Sequence, residues 1–211
     1  MGITDYWLFV FSTIVFAITP GIDTFFVLNK AIAQGRKAAI QSSLGITSGN
    51  FCHTIFAALG LSVIVAKSVT AFMIIKYAGA AYLIYLGIAK FFEKPATEQT
   101  HETQLEIPTD SFFKNYYSGL FTNLLNPKVV MFFMSFFPQF IKPENINDSL
   151  PYLTLGVTST VLGFGWLMCL CFFAAAISRK LRTSASFSKW LNKTSGLVFV
   201  LMGLKIAFGK K

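Results

Sequence analysis

The length of the apolar blocks in this chain limits its fold more than any other feature. Six blocks stand out, at residues 6–28, 39–66, 70–92, 116–141, 150–177 and 190–207. Each is near the ~20 residues a helix needs to cross the hydrocarbon of a bilayer. Backbone N–H and C=O groups find no water there, so they must pair within the segment, and a helix does this. The alternating pattern of a membrane barrel is absent. The expected fold class is an all-α integral membrane protein with six transmembrane helices. Only 13% of residues are charged, against about 25% in soluble domains, which argues against a solvated surface. The first block is preceded by Asp5 and by no Lys or Arg, and it is too long for a signal-peptide core. It is expected to be a retained first helix.

The remaining composition excludes several function classes. The net charge is +9, but most basic residues flank apolar blocks, and none forms a basic stretch interleaved with aromatics, so no nucleic-acid partner is expected. Cys52, Cys169 and Cys171 lie inside apolar blocks with neither redox nor metal-ligand spacing. They read as buried small hydrophobes, with no metal and no cofactor. There is no G-x-x-x-x-G-K-[ST] loop for a nucleotide, so energy input must come from an ion gradient or a partner. The chain does not read as an enzyme.

Basic residues also report orientation. Lys30, Arg36, Lys37, Lys90, Lys94, Lys114, Arg179, Lys180, Arg182 and Lys189 make ten on one side; Lys67, Lys142, Lys205, Lys210 and Lys211 make five on the other. The bias places the first set in the cytoplasm and both termini outside. The polar stretch 93–110, with Glu93, Glu98, Glu102, Glu106 and Asp110, reads as a solvated linker. One membrane domain, 1–211, is therefore expected, with repeat one at 1–92, a linker at 93–112 and repeat two at 113–211. Each half carries a proline-broken helix (Pro20-Gly21, then Asn126-Pro127), a glycine-bearing helix and a Lys-x-x-Gly helix (Lys76 to Gly79, then Lys193 to Gly196). A three-span unit inserts its second copy upside down, which is the inverted-repeat architecture of secondary transporters.

Asp23 is the one acidic residue inside the six blocks. A carboxylate there costs about 2.5–3.5 kcal/mol on insertion scales and usually marks an ion or substrate path. Pro20 and Gly21 precede it and should open the helix, freeing carbonyls that can meet a cation or ammonium. A helix resuming near Asp23 would aim N–H groups at a carboxylate. Asn123 and Asn126 share a helical face beside Pro127. Lys128 follows directly; it pairs with a carboxylate, for which Asp23 is the obvious partner, or snorkels to an interface. His53 lies on a face with Gly45, Gly49, Ala57 and Gly60, and is either a proton relay or a hydrogen-bonded structural residue.

Several motifs carry a resemblance. Thr19-Pro20-Gly21-Ile22-Asp23-Thr24 is similar to T-P-G-P-[ND]-T, and residues 79–87 to G-A-x-Y-L-x-[YW]-L-G. Residues 119–128, ending Asn123-Leu124-Leu125-Asn126-Pro127-Lys128, are similar to G-x-x-x-N-x-x-N-P-K, followed by Phe137-Pro138-Gln139-Phe140. Together they resemble the LysE/RhtB family of amino-acid exporters. Two positions depart: Ile22 replaces the usual proline, and Asp23 stands where many members carry Asn. The resemblance implies efflux of amino acids or close derivatives, such as threonine, homoserine, homoserine lactone, lysine or leucine, across a bacterial inner membrane in exchange for protons. It places Thr24 in the binding motif with Pro20, Gly21 and Asp23. The expected partners are an amino-acid substrate, protons and the lipid bilayer, and the sequence is compatible with a homo-oligomer. The competing readings are a passive channel, a non-transporting scaffold, and a membrane thiol-redox protein.

Overall fold

Two prolines organise the fold. The computed structural model describes residues 2–61, 69–92, 110–183 and 185–208. Helix α1 (Tyr6–Ile18) stops before Pro20, and α2 (Ile22–Phe56) starts after Gly21. The chain bends by 49° there. Inside α2, Gly35 takes φ 83° and ψ 173°, a left-handed region that other residues rarely adopt. It separates residues 22–34 from 36–56. A π-helical turn (Ala57–Leu61) extends the second part, and α3 spans Val69–Phe92.

The second half begins with α4 (Phe112–Leu124), whose first turn is capped by the Ser111 hydroxyl accepting from the Lys114 N–H. A 50° bend at Asn126-Pro127 leads into α5 (Pro127–Met131). A π-helical turn (Phe132–Phe136) and a 3₁₀ turn (Phe137–Phe140) continue it. Helix α6 (Ser149–Thr183) kinks at Phe173, and α7 (Ala185–Phe208) follows. Among the described residues there are no strands, only an isolated bridge between Ile3 and Ile141. Thr4 donates to the Phe140 carbonyl at 2.8 Å, and Lys142 to that of Gly2 at 2.8 Å. The start of the first broken helix and the end of the second therefore lie on one side.

The all-helical reading holds. Among the described residues, 149–174 is long and apolar enough to cross a membrane alone, and each bent pair is so when its two parts are taken together. Element ends differ from the block boundaries. The helix after the first break runs on to Gln34 rather than ending at 28, and α4 begins at 112 rather than 116. Helix α6 runs to Thr183 and α7 starts at Ala185, where the blocks left 178–189 between spans. The reason is common to all three. Lys, Arg, Gln and Ser end an apolar block without ending a helix, and Lys, Arg and Gln are good helix formers. The stretches 62–68 and 93–109 and residues 209–211 lie outside the described residues, so the end of the second block, most of the linker, and Lys67, Lys94, Lys210 and Lys211 do too.

Glycines set the helix contacts. A Cβ on Gly45 would meet the Tyr116 backbone, and one on Gly119 would meet the Ser42 carbonyl; Gly49 faces the Asn123 side chain. Residues 36–56 thus run parallel to α4. A Cβ on Gly87 would lie 2.6 Å from the Gly196 carbonyl oxygen, and one on Gly196 would lie 2.7 Å from that of Gly87. Gly203 faces the Ala80 carbonyl in the same way, at 2.8 Å. Moving seven residues back on α3 moves seven forward on α7, so these helices are antiparallel. One apolar core gathers Phe9, Phe136, Phe137, Phe140, Tyr152 and Leu155; the other gathers Val27, Ile46, Leu170 and Cys171. The three cysteines are free; Cys171 is buried against Ser43, their sulfur and oxygen 3.4 Å apart, but Cys52 is half-buried and Cys169 exposed, because each lies on a helix face turned from the core.

Candidate substrate site where two broken helices meet

In a continuous helix the N–H of residue i bonds the carbonyl of i−4. Pro20 has no N–H, so the Phe16 carbonyl loses its donor, and the bend also releases that of Thr19. The Lys128 ammonium fills both places, donating to Phe16 O at 3.0 Å and Thr19 O at 2.9 Å, and lying 4.3 Å from the centre of the Phe16 ring. Gly21 makes room for it: a Cβ there would stand 3.3 Å from Lys128 Cδ and Nζ. The freed carbonyls do meet an ammonium, as sequence reasoning expects, but it is the protein's own. Lys128 also acts on the Asp23 carboxylate through its charge.

The second break repeats the arrangement. Pro127 leaves the Asn123 carbonyl without its helical donor. That oxygen accepts the Asn126 N–H at 3.0 Å and faces His53 Nε2 at 3.4 Å. A carbonyl only accepts, so this contact calls for the tautomer protonated at Nε2. His53 is 7% exposed and packs beside Phe133, as a hydrogen-bonded buried residue does. Lys128 belongs to the second half and His53 to the first, so each half answers the other's break.

Asp23 lies between them. It sits in the first turn of α2, where N–H groups lack intrahelical partners and a negative charge is favoured. Its Oδ2 accepts from Asn123 Nδ2 at 2.8 Å and its Oδ1 from Asn126 Nδ2 at 3.0 Å. Both amides are almost fully buried, Asn123 at 0% exposure and Asn126 at 2%. Asn126 also caps α5, its Oδ1 accepting from the Lys128 N–H at 3.0 Å. Thr24 is buried one residue on. The structure therefore brings every expected site residue to one place.

A cavity of about 620 Å³, counting its open mouth, borders this cluster. Asp23, Thr24, Gly21, Asn126 and Lys128 line one part, and Phe16, Val129, Phe132, Phe133, Ile46 and Leu167 form apolar walls. Four polar lining residues were missed by sequence reasoning: Thr13, Asn50, Ser159 and Trp166. Asn50 accepts from Asn123 Nδ2 at 3.3 Å. The available signal was an amide next to Gly49 inside an apolar block. The other three look like ordinary members of apolar helices. Among the described residues, no group of three or more His, Cys, Asp or Glu side chains could hold a metal.

A second polar cluster closes the other end of α4. Asp110 accepts from Lys30 Nζ at 2.9 Å, from Lys114 Nζ at 2.6 Å and from Gln34 Nε2 at 2.9 Å. Lys30 also donates to Asn115 Oδ1 at 2.8 Å, and Asn115 donates to Gln41 Oε1 at 2.9 Å. Lys114 and Lys30 hold the Asp110 carboxyl well below the usual carboxylate range. Asp110 is thus anchored to the helices rather than being a free part of the linker.

The sequence profile of the LysE type translocator family matches residues 14–210. The chain belongs to the LysE type translocator family. It is 36% identical over 194 residues to the "Uncharacterized membrane protein YrhP" of Bacillus subtilis (strain 168), covering 89% of this chain and 91% of that one. It is 27% identical over 206 residues to the "Leucine efflux protein" of Salmonella choleraesuis (strain SC-B67), covering 98% and 96%. An "Uncharacterized membrane protein" of Vibrio cholerae serotype O1 is 30% identical, covering 97% of each chain. No solved structure matches. LysE type translocators are transporters and not enzymes, so the chain is a membrane protein of amino-acid export.

Proposed function

We propose that this chain is a bacterial inner-membrane secondary exporter that exchanges a neutral amino acid for protons. It spans the membrane six times as two inverted three-helix halves, 1–92 and 113–211. The observation that carries the reading is the Asp23 carboxylate, held by two buried amides from the opposite half beside a cavity. The inverted arrangement is supported by the two proline breaks with their near-equal bends, and by the antiparallel α3 and α7. A transporter site at paired broken helices is typical of such architectures. Apolar walls suit an aliphatic side chain, in keeping with a relative named for leucine efflux.

A carboxylate that binds either a proton or an ammonium, but not both, is enough for antiport. On the cytoplasmic side the substrate ammonium takes Asp23. On the outside a proton displaces it, and the protonated carboxyl returns inward and releases the proton. Asn123 serves both states, because a side-chain amide donates from one end and accepts at the other. Its buried Oδ1 has no hydrogen-bond partner among the described residues. Turned over, that oxygen would accept from a protonated Asp23. Lys128 and His53 keep the two breaks open and their carbonyls satisfied.

The test uses protein reconstituted in vesicles with an imposed pH gradient, scored for L-leucine accumulation and for leucine exchange. Asp23→Asn keeps shape and loses titration. It should insert at normal abundance, lose gradient-driven accumulation and respond little to pH. Native behaviour of Asp23→Asn in both assays would remove Asp23 from the mechanism. The topology is checked with a reporter active only outside the cytoplasm, which should be active when fused after Asn145 and silent within 93–110.

A further inference from the structure

The cavity beside Asp23 contains donors that no described residue uses. The indole Nε1 of Trp166 is shielded from solvent and has no hydrogen-bond partner among the described residues. The Thr13 hydroxyl is in the same condition, on a residue 3% exposed. Both residues line the cavity. An indole N–H can only donate, so Trp166 calls for an acceptor. Asp23, when ionised, can only accept. The cavity lining thus carries polar groups of opposite character, a carboxylate and two free donors, among apolar side chains. Two of the three N–H donors of the Lys128 ammonium are engaged with the Phe16 and Thr19 carbonyls.

Helix α6 presents Ser159, Gly163 and Trp166 to the cavity, spaced as one helical face requires. Gly163 adds space. A Cβ there would meet only Asn50 Nδ2, at 3.6 Å, so any larger side chain would project toward the cavity.

We propose that Trp166 and Gly163 determine the specificity of transport: the Trp166 N–H, with the Thr13 hydroxyl, receives the α-carboxylate of the substrate, and Gly163 leaves room for its aliphatic side chain. The inference rests on the exporter reading above and narrows it. The substrate class is a zwitterionic amino acid with a free carboxylate and an apolar side chain. Amides and lactones, which lack the carboxylate, are excluded.

The experiment measures L-leucine transport in vesicles with competition by leucinamide and by alanine. Trp166→Phe keeps the apolar bulk and deletes the donor. It should raise the apparent KM for leucine roughly tenfold or more, the scale of one hydrogen bond to a charged group, while leaving leucinamide a poor competitor. Gly163→Val should weaken leucine more than alanine. A readout in otherwise native protein guards against misfolding. With the exposed Trp7 and Trp190 changed to Phe, Trp166 emission should shift on adding leucine and not on adding leucinamide. An unshifted emission in protein that transports leucine, or a native KM in Trp166→Phe, would overturn the proposal. If the native protein transports no amino acid, the exporter reading fails, and this inference falls with it.

Discussion

The Lys128 ammonium stands 3.0 Å from the Phe16 carbonyl oxygen, the acceptor that Pro20 deprives of its helical donor. His53 stands in the same relation to Asn123 and Pro127. Both carbonyls lie four residues before a proline, and both are met by a side chain from the opposite half. A broken helix leaves polar backbone groups that lipid cannot satisfy, and here each break draws a donor from the other half.

Lys128→Met keeps the length of the side chain and removes the ammonium. Two carbonyls then lose their donor, at about 1–3 kcal/mol for each buried group left unsatisfied. We expect a lower thermal unfolding midpoint in detergent and little leucine export in vesicles. Lys128→Arg should recover part of the stability, since a guanidinium also donates to carbonyls. A native midpoint for Lys128→Met would show that water serves these carbonyls equally well.

Asn126 does two things that substitutions can separate. Its Oδ1 caps α5 and its Nδ2 bonds Asp23. Asn126→Ala should cost about 1 kcal/mol through the lost cap and should also impair export. Asn126→Ser restores a capping oxygen without the amide. It should regain stability and remain poor in export, judged by export rate at equal membrane abundance.

Gly87 and Gly196 let α3 and α7 touch through their backbones. A valine at either position must push the helices apart, because the nearest atom in each case is a backbone carbonyl oxygen. We expect Gly87→Val to lower the unfolding midpoint markedly. Gly165→Ala is the control: a Cβ there meets nothing within 4 Å, so its midpoint should stay at or slightly above the native one, given the better helix propensity of alanine.

Asp110 has a depressed folded-state pKa because Lys114 and Lys30 bond its charged form. A depressed carboxylate stabilises the fold above its unfolded pKa and loses that contribution as pH falls toward the folded value. Its contribution should be constant from pH 8 to 5 and begin to fade only below about pH 4. Asp110→Asn should unfold at lower temperature than the native protein across the upper window, with the gap closing in acid and shrinking in high salt. Unfolding midpoints recorded against pH and ionic strength check this.

Much of this site can be read from the chain. Pro20 and Pro127 announce their breaks, and Asp23, Asn123 and Asn126 are costly in an apolar block unless they meet. The partner of Lys128 could not be read the same way. Matching charge with charge pointed to Asp23, which does feel the Lys128 charge, but not to the two carbonyl acceptors that the missing N–H of Pro20 creates. Trp166, Thr13 and Ser159 were invisible for another reason. In an apolar helix, which residue faces the cavity depends on the register of its neighbours, and that register is set by contacts such as Gly45 on Tyr116 and Gly156 on Thr54. Asp110 was assigned to the solvated linker because its anchors, Lys30 and Gln34, lie 80 and 76 positions away.

The crossed repair of the two breaks bears on how such a chain could be divided. Severed between 93 and 110, the first piece would keep the Phe16 and Thr19 carbonyls without Lys128. The second would keep Asn123 with the Asn126 N–H but without His53. Each piece would then lack a donor that only the other carries, so the two should insert stably when made together and poorly when made alone.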